Sequence, residues 1–349
     1  MSLALALQSG DVASLPSRRD EAWRYTDLRA ALRAIPAASP KDEAAVPAGP
    51  FAALDAAQTI VIINGFGPDR LTIASGEHRT VCLRFVSSKA ASAHHAALAI
   101  EVAEGASLTL LESHEGLGQT YVSDIAVTLH IGSGATVERV SILNDSAEAI
   151  SVVTATVDLA ANATFNQTVL TTGGKRQRFE AHVNHPGQGA SVRLDGVYLL
   201  GDARHSDQTT VVTHQGEGGT TSQLTKGAVR DSARAVFQGK ITVERGADQT
   251  DARMGHHALI LSERAEIDAK PELEIYADDV SCAHGNTVGA LDEEALFYIR
   301  SRGVPLIEAR ALLISAFVGE VTDRISHEGA RQVAQDWLLA SGMGRPDEF

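Results

Sequence analysis

Gly105-Ala106-Ser107-Leu108-Thr109-Leu110 returns in altered form as Gly134-Ala135-Thr136-Val137-Glu138-Arg139-Val140, then as Asn162-Ala163-Thr164-Phe165-Asn166-Gln167 and Gly189-Ala190-Ser191-Val192-Arg193-Leu194. Each copy sets a turn-forming Gly or Asn before an alternating strand. The apolar anchors Leu108, Val137, Phe165 and Val192 follow one another at intervals of 29, 28 and 27 residues. A near-constant period of about 20–30 residues is that of stacked supersecondary units and suits one rung of a parallel β-helix. A propeller blade needs more residues, and a β-sandwich keeps no such register. Ser232-Ala233-Arg234-Ala235-Val236-Phe237 and Arg264-Ala265-Glu266-Ile267 continue the pattern with anchors at Val236 and Ile267. The 44-residue gap from Val192 to Val236 then predicts two short rungs, or one carrying an insertion.

On the N-terminal side, Thr59-Ile60-Val61-Ile62-Ile63-Asn64-Gly65 opens a β-rich region that runs to about residue 285. Residues 1–38 read as helical, with Trp23, Leu28 and Leu32 as apolar positions. Pro36, Pro40, Pro47 and Pro50 then make a linker. On the C-terminal side, Asp292-Glu293-Glu294-Ala295-Leu296-Phe297-Tyr298-Ile299-Arg300-Ser301-Arg302 puts acids at its start and bases at its end, as a helix dipole favours, and Gly303 and Pro305 stop it. A second helix over 305–325 carries Ile307, Ala311, Leu312, Ile314, Ala316, Phe317 and Val318, an apolar set too broad for one stripe. It needs a second surface, either the end of the β-helix or a partner; Ile314 and Phe317 are the candidate partner contacts. A third helix over 328–339 precedes a loose end. The expected fold class is mainly β: a parallel β-helix core (59–285, with entry strands) between an N-terminal helical segment with linker (1–58) and a C-terminal helical domain (286–349).

A net charge of −14 and a pI near 5.4 argue against nucleic-acid or anionic-membrane partners, both of which attract basic surfaces. Cys82 and Cys282 are too few for a disulfide framework, and the N-terminus lacks the basic flank and apolar core of a secretory signal. No apolar run approaches the ~20 residues that span a bilayer. The expected location is cytoplasmic, with reduced thiols. The nucleotide-binding G-x-x-x-x-G-K-[ST] pattern is missing, since Arg234 stands where Gly239-Lys240 would need its first glycine. G-x-S-x-G and H-E-x-x-H are missing too.

The chemistry-bearing stretch is Asp278-Asp279-Val280-Ser281-Cys282-Ala283-His284-Gly285-Asn286-Thr287. On a strand, side chains at i and i+2 leave the same face, so Cys282 and His284 point the same way, about 7 Å apart along the chain. A thiolate and an imidazole make half a metal site; two ligands do not complete the four of a zinc or iron–sulfur centre. The structural alternative is a packed thiol and a hydrogen-bonding imidazole. His182 and His185 lie three apart and His256 and His257 are adjacent, which on a strand sends the latter two to opposite faces. Both pairs are expected on the surface or in turns. The carboxylates show no catalytic pair, which weakens a polysaccharide-acting β-helix enzyme.

Three segments, Phe237-Gln238-Gly239-Lys240-Ile241, the run from Lys270-Pro271-Glu272-Leu273-Glu274-Ile275 through Ser281-Cys282-Ala283-His284-Gly285, and Phe297-Tyr298-Ile299-Arg300-Ser301-Arg302-Gly303, together resemble the SufB/SufD family of iron–sulfur cluster assembly proteins. Glu21-Ala22-Trp23-Arg24-Tyr25-Thr26 is similar to the N-terminal signature of the SufD branch, and a count of two cysteines points the same way. Around Met254-Gly255-His256-His257 the family is often richer in amides, so no role is carried onto those histidines. The resemblance implies a right-handed parallel β-helix between helical ends and a non-catalytic scaffold. It implies a SufB-type paralogue and a SufC-type ATPase as partners, the latter on the C-terminal helices and supplying ATP hydrolysis, with a homodimer as the state of the isolated chain. It also implies that Cys282 and His284 fall on the family's Cys-x-His pair, where iron or a nascent cluster is held transiently at a shared interface and none stably in the isolated chain. The other readings are the polysaccharide-acting enzyme and a purely structural oligomeric adapter.

Overall fold

A computed structural model describes residues 2–43 and 45–343; the expected loose end lies outside these from residue 344. Strands of about ten residues alternate between two nine-stranded sheets, and every pairing within the sheets is parallel. No strand pairs with its successor in sequence. Ser107–Gly116, for instance, lies between His78–Ser87 and Thr136–Asn144, while Tyr121–Ile131 belongs to the opposite sheet. The chain therefore winds as a solenoid of about eight turns, and the expected parallel β-helix is the fold observed.

The repeat read from sequence is the turn that starts each rung. Gly105, Gly134, Asn162 and Gly189 all have left-handed backbones, with φ of 67°, 65°, 58° and 75°. Glycine reaches that region without strain and Asn tolerates it, which explains the residue choice. The Ala that follows each of them is buried, because the turn presses it against the core where no larger side chain fits. Leu108, Val137, Phe165 and Val192 then stand as direct cross-rung partners, each at most 1 % exposed. The same inward column continues through Thr221, Ala252 and Cys282, at spacings of 29, 31 and 30 residues. No insertion follows Val192. Val236 and Ile267 belong to the other sheet, where Val236 pairs with Asp207 and Asp268 while Ile267 pairs with Ala235. The 44-residue gap is therefore one regular turn, from Val192 to the small inward Thr221, followed by the crossing to the other sheet at Val236.

Charge is also built into the inside of the solenoid. Arg139, two residues beyond Val137 and fully buried, donates to Glu112 through Nε (3.0 Å) and Nη2 (2.7 Å) and to Gln167 through Nη1 (2.9 Å). His114 Nε2 lies 2.7 Å from the same carboxylate. Burial pushes the Glu112 carboxyl up, but Arg139 and His114 outweigh it and hold it down at about 2.

The N-terminal segment is less helical than expected. Only α1 (Leu3–Ser9) and the single turn α2 (Leu28–Ala31) are α-helical, with short 3-10 turns at Val12–Ser14 and Glu21–Trp23. The segment instead lies along one sheet: the Trp23 ring sits 4.4 Å from the buried Arg178 guanidinium, and Thr26 Oγ1 donates to Asp207 (2.5 Å). Covering that charged pair needs an irregular path that a continuous helix would not follow. At the other end come α3 (Glu293–Ser301), α4 (Leu306–Thr322) and α5 (Glu328–Ala340), close to the sequence expectation. Helix α4 lies over Ser191–Leu200 and Thr220–Val229 on the outer face of the second sheet, and its Ile314, Val318 and Val321 share one buried cluster with Val197, Leu199 and Leu224.

Two stability measurements check this description. Phe165→Ala should cost about 3–5 kcal/mol in urea unfolding, as deletion of a fully buried aromatic does; a loss below about 1 kcal/mol would argue against a packed inward column. Glu112→Gln leaves Arg139 buried without its counter-charge and should cost about 3–5 kcal/mol at pH 7. Because the folded-state carboxyl lies below the ~4.3 of an ordinary Glu, its contribution is complete above that pH and fades as pH falls toward about 2. The difference between wild type and variant should therefore narrow in melts at pH 3.

Candidate functional site

The two strands of the last rung, Glu266–Ile275 and Val280–Gly289, each pair on one side only. Three inward columns end on the second of them. Cys282 stands over Ala252, His284 over Met254 and Asn286 over His256. Cys282 is half-buried against the solenoid core, whereas His284 and Asn286 are exposed, since no further rung covers them. The alternation of a strand thus aims Cys282 and His284 out of the same face, as the spacing predicted. Asn286, two residues further, completes the row; its position was legible in the same i, i+2, i+4 pattern and went unread because an amide carries no metal signal.

Below this row the interior is firmly held. His256 is fully buried, its Nδ1 2.6 Å from Asn286 Oδ1 and its Nε2 2.8 Å from the Tyr198 hydroxyl, with Phe237 stacked at 4.6 Å between ring centres. Nδ1–H donates to the amide carbonyl and Nε2 accepts from the phenol, so both ring nitrogens are engaged. Burial lowers His256 to about 4, which keeps it neutral. Gly227 makes room for the Tyr198 ring, because a Cβ there would lie 2.0 Å from it. The Cys282 thiol is pushed up chiefly by burial, which outweighs an opposing hydrogen bond with the Ala252 backbone, with a minor further push from the Asp251 carboxylate. It is therefore a protonated thiol at neutral pH.

The other histidines fall differently from expectation. His256 and His257 do face opposite sides, but His256 is an interior residue, and His257 bonds Thr287 Oγ1 at 2.7 Å on the outer face. His185 is likewise buried, stacked on His214 at 4.2 Å, while His182 is half-exposed and bound to Glu180 at 2.6 Å. Polar inward positions of a rung are invisible to a hydrophobicity pattern, which is why the surface-or-turn expectation fails for His185 and His256. Among the described residues no three His, Cys, Asp or Glu side chains gather as a metal site.

One of the two C-terminal candidates, Ile314, needs correction. Ile314 is 2 % exposed and belongs to the contact of α4 with the sheet, and Phe317 is half-buried with Lys226 Nζ 4.7 Å from its ring centre. The sheet itself supplies the second surface that the broad apolar face of this helix demanded. The large apolar residues that α4 leaves exposed are Ile307 and Leu312.

The family model described as "SUF system FeS cluster assembly, SufBD core domain" matches residues 85–317. The chain belongs to the SufBD family. Among its relatives, the iron–sulfur cluster assembly protein SufD of Escherichia coli is 32 % identical over 240 residues, covering 68 % of this chain and 56 % of that protein. A SufBD family protein of Synechocystis is 30 % identical, with coverage of 65 % and 52 %. The chain thus spans little more than half the length of these two relatives. A SufBD family protein of Mycobacterium leprae is 28 % identical over 355 residues, covering 92 % of this chain and 89 % of the other. The resemblance seen in the motifs is borne out, and within the SufBD family the match to proteins named SufD agrees with a two-cysteine chain. Among the described residues no helix is long and apolar enough to cross a membrane.

A raised thiol pKa has a direct readout. Alkylation of Cys282 by iodoacetamide should be slower at pH 7.5 than that of an unperturbed thiol and should keep accelerating above pH ~8.5, where an ordinary cysteine levels off. Cys82, buried on the outer face, should not compete in the folded protein. A Cys282 rate that levels off below that pH would contradict the environment described.

Proposed function

We propose that this chain is a scaffold subunit for iron–sulfur cluster assembly that works by pairing its open last rung with a second β-helix chain. The observation that carries the reading is Cys282 and His284 side by side on a strand whose outer edge is unpaired. An unpaired strand edge over a partly uncovered core calls for another strand. Ile275, Tyr276 and Val288 on the same rung add exposed apolar surface. A SufB-type paralogue suits the position because its own rungs would continue the ladder, and in isolation a second copy of this chain would serve. Iron or a nascent cluster is then cargo, held between Cys282, His284 and ligands of the partner and released afterwards, which is easier from a divided site than from a closed one.

In the same reading a SufC-type ATPase docks on the C-terminal helices. With Ile314 committed to the sheet, the contact falls on Ile307 and Leu312. The chain itself is non-catalytic and draws on that partner for ATP hydrolysis.

Co-expression with SufB-type and SufC-type subunits, followed by affinity purification and iron and sulfide analysis, tests this. His284→Ala should leave the complex intact and lower cluster assembly at least several-fold; Cys282→Ser should have a smaller effect, because that thiol also packs. Wild-type assembly by the His284→Ala complex would remove the site assignment. Leu312→Asp should leave folding unchanged and abolish recovery of the ATPase, and full recovery would move that contact elsewhere.

A further inference from the structure

A second region has neither Cys282 nor His284 in its lining and meets the last rung only at Glu266. Where residues 18–30 cross the turns that lead into Arg176–His185, His205–His214, Arg234–Val243 and Glu266–Ile275, they enclose a cleft of about 680 Å³. Six guanidinium groups line it: Arg18 and Arg24 from the N-terminal segment, and Arg176, Arg204, Arg234 and Arg264 from successive rungs. Only two carboxylates, Asp27 and Glu266, share the lining. Against a net charge of −14 for the whole chain, this is a local reversal of sign.

The arginines are not gathered to satisfy one another's counter-ions. Of these six arginines, among the described residues, only Arg234 forms an ion pair with carboxylates, Asp268 at 2.6 Å and Glu266 at 3.5 Å. Arg204 donates to the Gly173 carbonyl at 3.2 Å and Arg176 to that of Lys175 at 2.6 Å, while Asp27 also caps α2 through the Ala30 amide. Arg176 is pushed below the usual guanidinium range by burial and by the charge of Arg234, against a smaller opposing pull from Asp27. His205, 2 % exposed, lines the same cleft: its Nε2 donates to the Tyr25 carbonyl at 3.3 Å, and its Nδ1 is buried with no partner. Repelling cations held this close are a standing cost unless something anionic occupies the space between them, while the bare Nδ1 lone pair of His205 is left for a donor.

We propose that this cleft is a binding site for a small molecule bearing a diphosphate group. The forked donors of arginine match phosphate oxygens two at a time, and each phosphate brings more charge than a carboxylate, so a diphosphate answers a lining with four more cations than anions. The volume falls in the range of ordinary small-ligand sites. A long polyanion such as a nucleic acid is disfavoured because the acidic remainder of the surface would repel it. The same diphosphate chemistry is present in a nucleotide and in free pyrophosphate, and Tyr25 in the lining offers a ring against which a base can rest.

Isothermal titration of the full chain with inorganic pyrophosphate and with ADP decides the matter. Binding well below ~1 mM that weakens as salt is raised is expected for at least one of them. The double variant Arg18→Gln/Arg24→Gln, in exposed positions on the N-terminal segment, should weaken it ~10-fold or more with an unchanged thermal melt, and Arg264→Gln should weaken it independently. ADP binding ~10-fold tighter than pyrophosphate would identify a nucleotide as the ligand class, and equal affinities a free diphosphate, both in support. Absence of binding by either compound at ~1 mM, or binding indifferent to both variants, would overturn the site.

Discussion

The structure depends on one repeated interaction, the parallel backbone ladder between a strand and the strand one full turn later. A parallel strand carries rows of N–H and C=O groups on both sides, and inside the solenoid each row is met by the neighbouring rung. Because side chains alternate, a slip of one residue would turn a whole rung inside out. The left-handed turns at Gly105, Gly134, Asn162 and Gly189 fix that register before each strand begins. The apolar column from Leu108 to Val192 then locks it from within.

Once the register is set, polar residues can be placed inside as securely as apolar ones. Arg139 reaches Glu112 on one neighbouring rung and Gln167 on the other, so a single charged side chain ties three turns together. His256 does the same between Tyr198 and Asn286, bringing order close to the exposed end. The ladder must also stop somewhere. At Glu266–Ile275 and Val280–Gly289 the backbone rows have no further rung, and the interior columns surface as Cys282, His284 and Asn286. The candidate site is thus the cross-section of the core, and its half-complete character follows from its place at the end of a repeat.

The flanking segments serve the solenoid in different ways. Helix α4 spends Ile314, Val318 and Val321 on the outer side of one sheet and leaves Ile307 and Leu312 exposed. The N-terminal segment covers the buried Arg178–Asp207 pair on the other sheet and, in crossing the turns, brings Arg18 and Arg24 to the arginines of four rungs. A repeat that returns every turn to the same place can stack like residues over one another, and Arg176, Arg204, Arg234 and Arg264 recur about once per rung along that line.

By itself the sequence determined the solenoid and the aim of Cys282 and His284, because both follow from periods: a turn residue every 27–29 residues sets the rung, and two residues on a strand set the face. It determined the family too, through contiguous motifs around Cys282. Only the tertiary structure decided what depends on neighbours remote in the chain. Thr221 and Ala252 are core positions because of what lies above and below them, though neither reads as apolar in a pattern. His185 and His256 are interior although histidine has no fixed preference, and Ile314 is spent on a sheet that no helical periodicity can reveal. Hydrophobic periodicity reports how a residue relates to its own strand or helix; whether that face meets solvent, another rung or a covering helix is set by packing, and packing joins residues that the sequence keeps far apart.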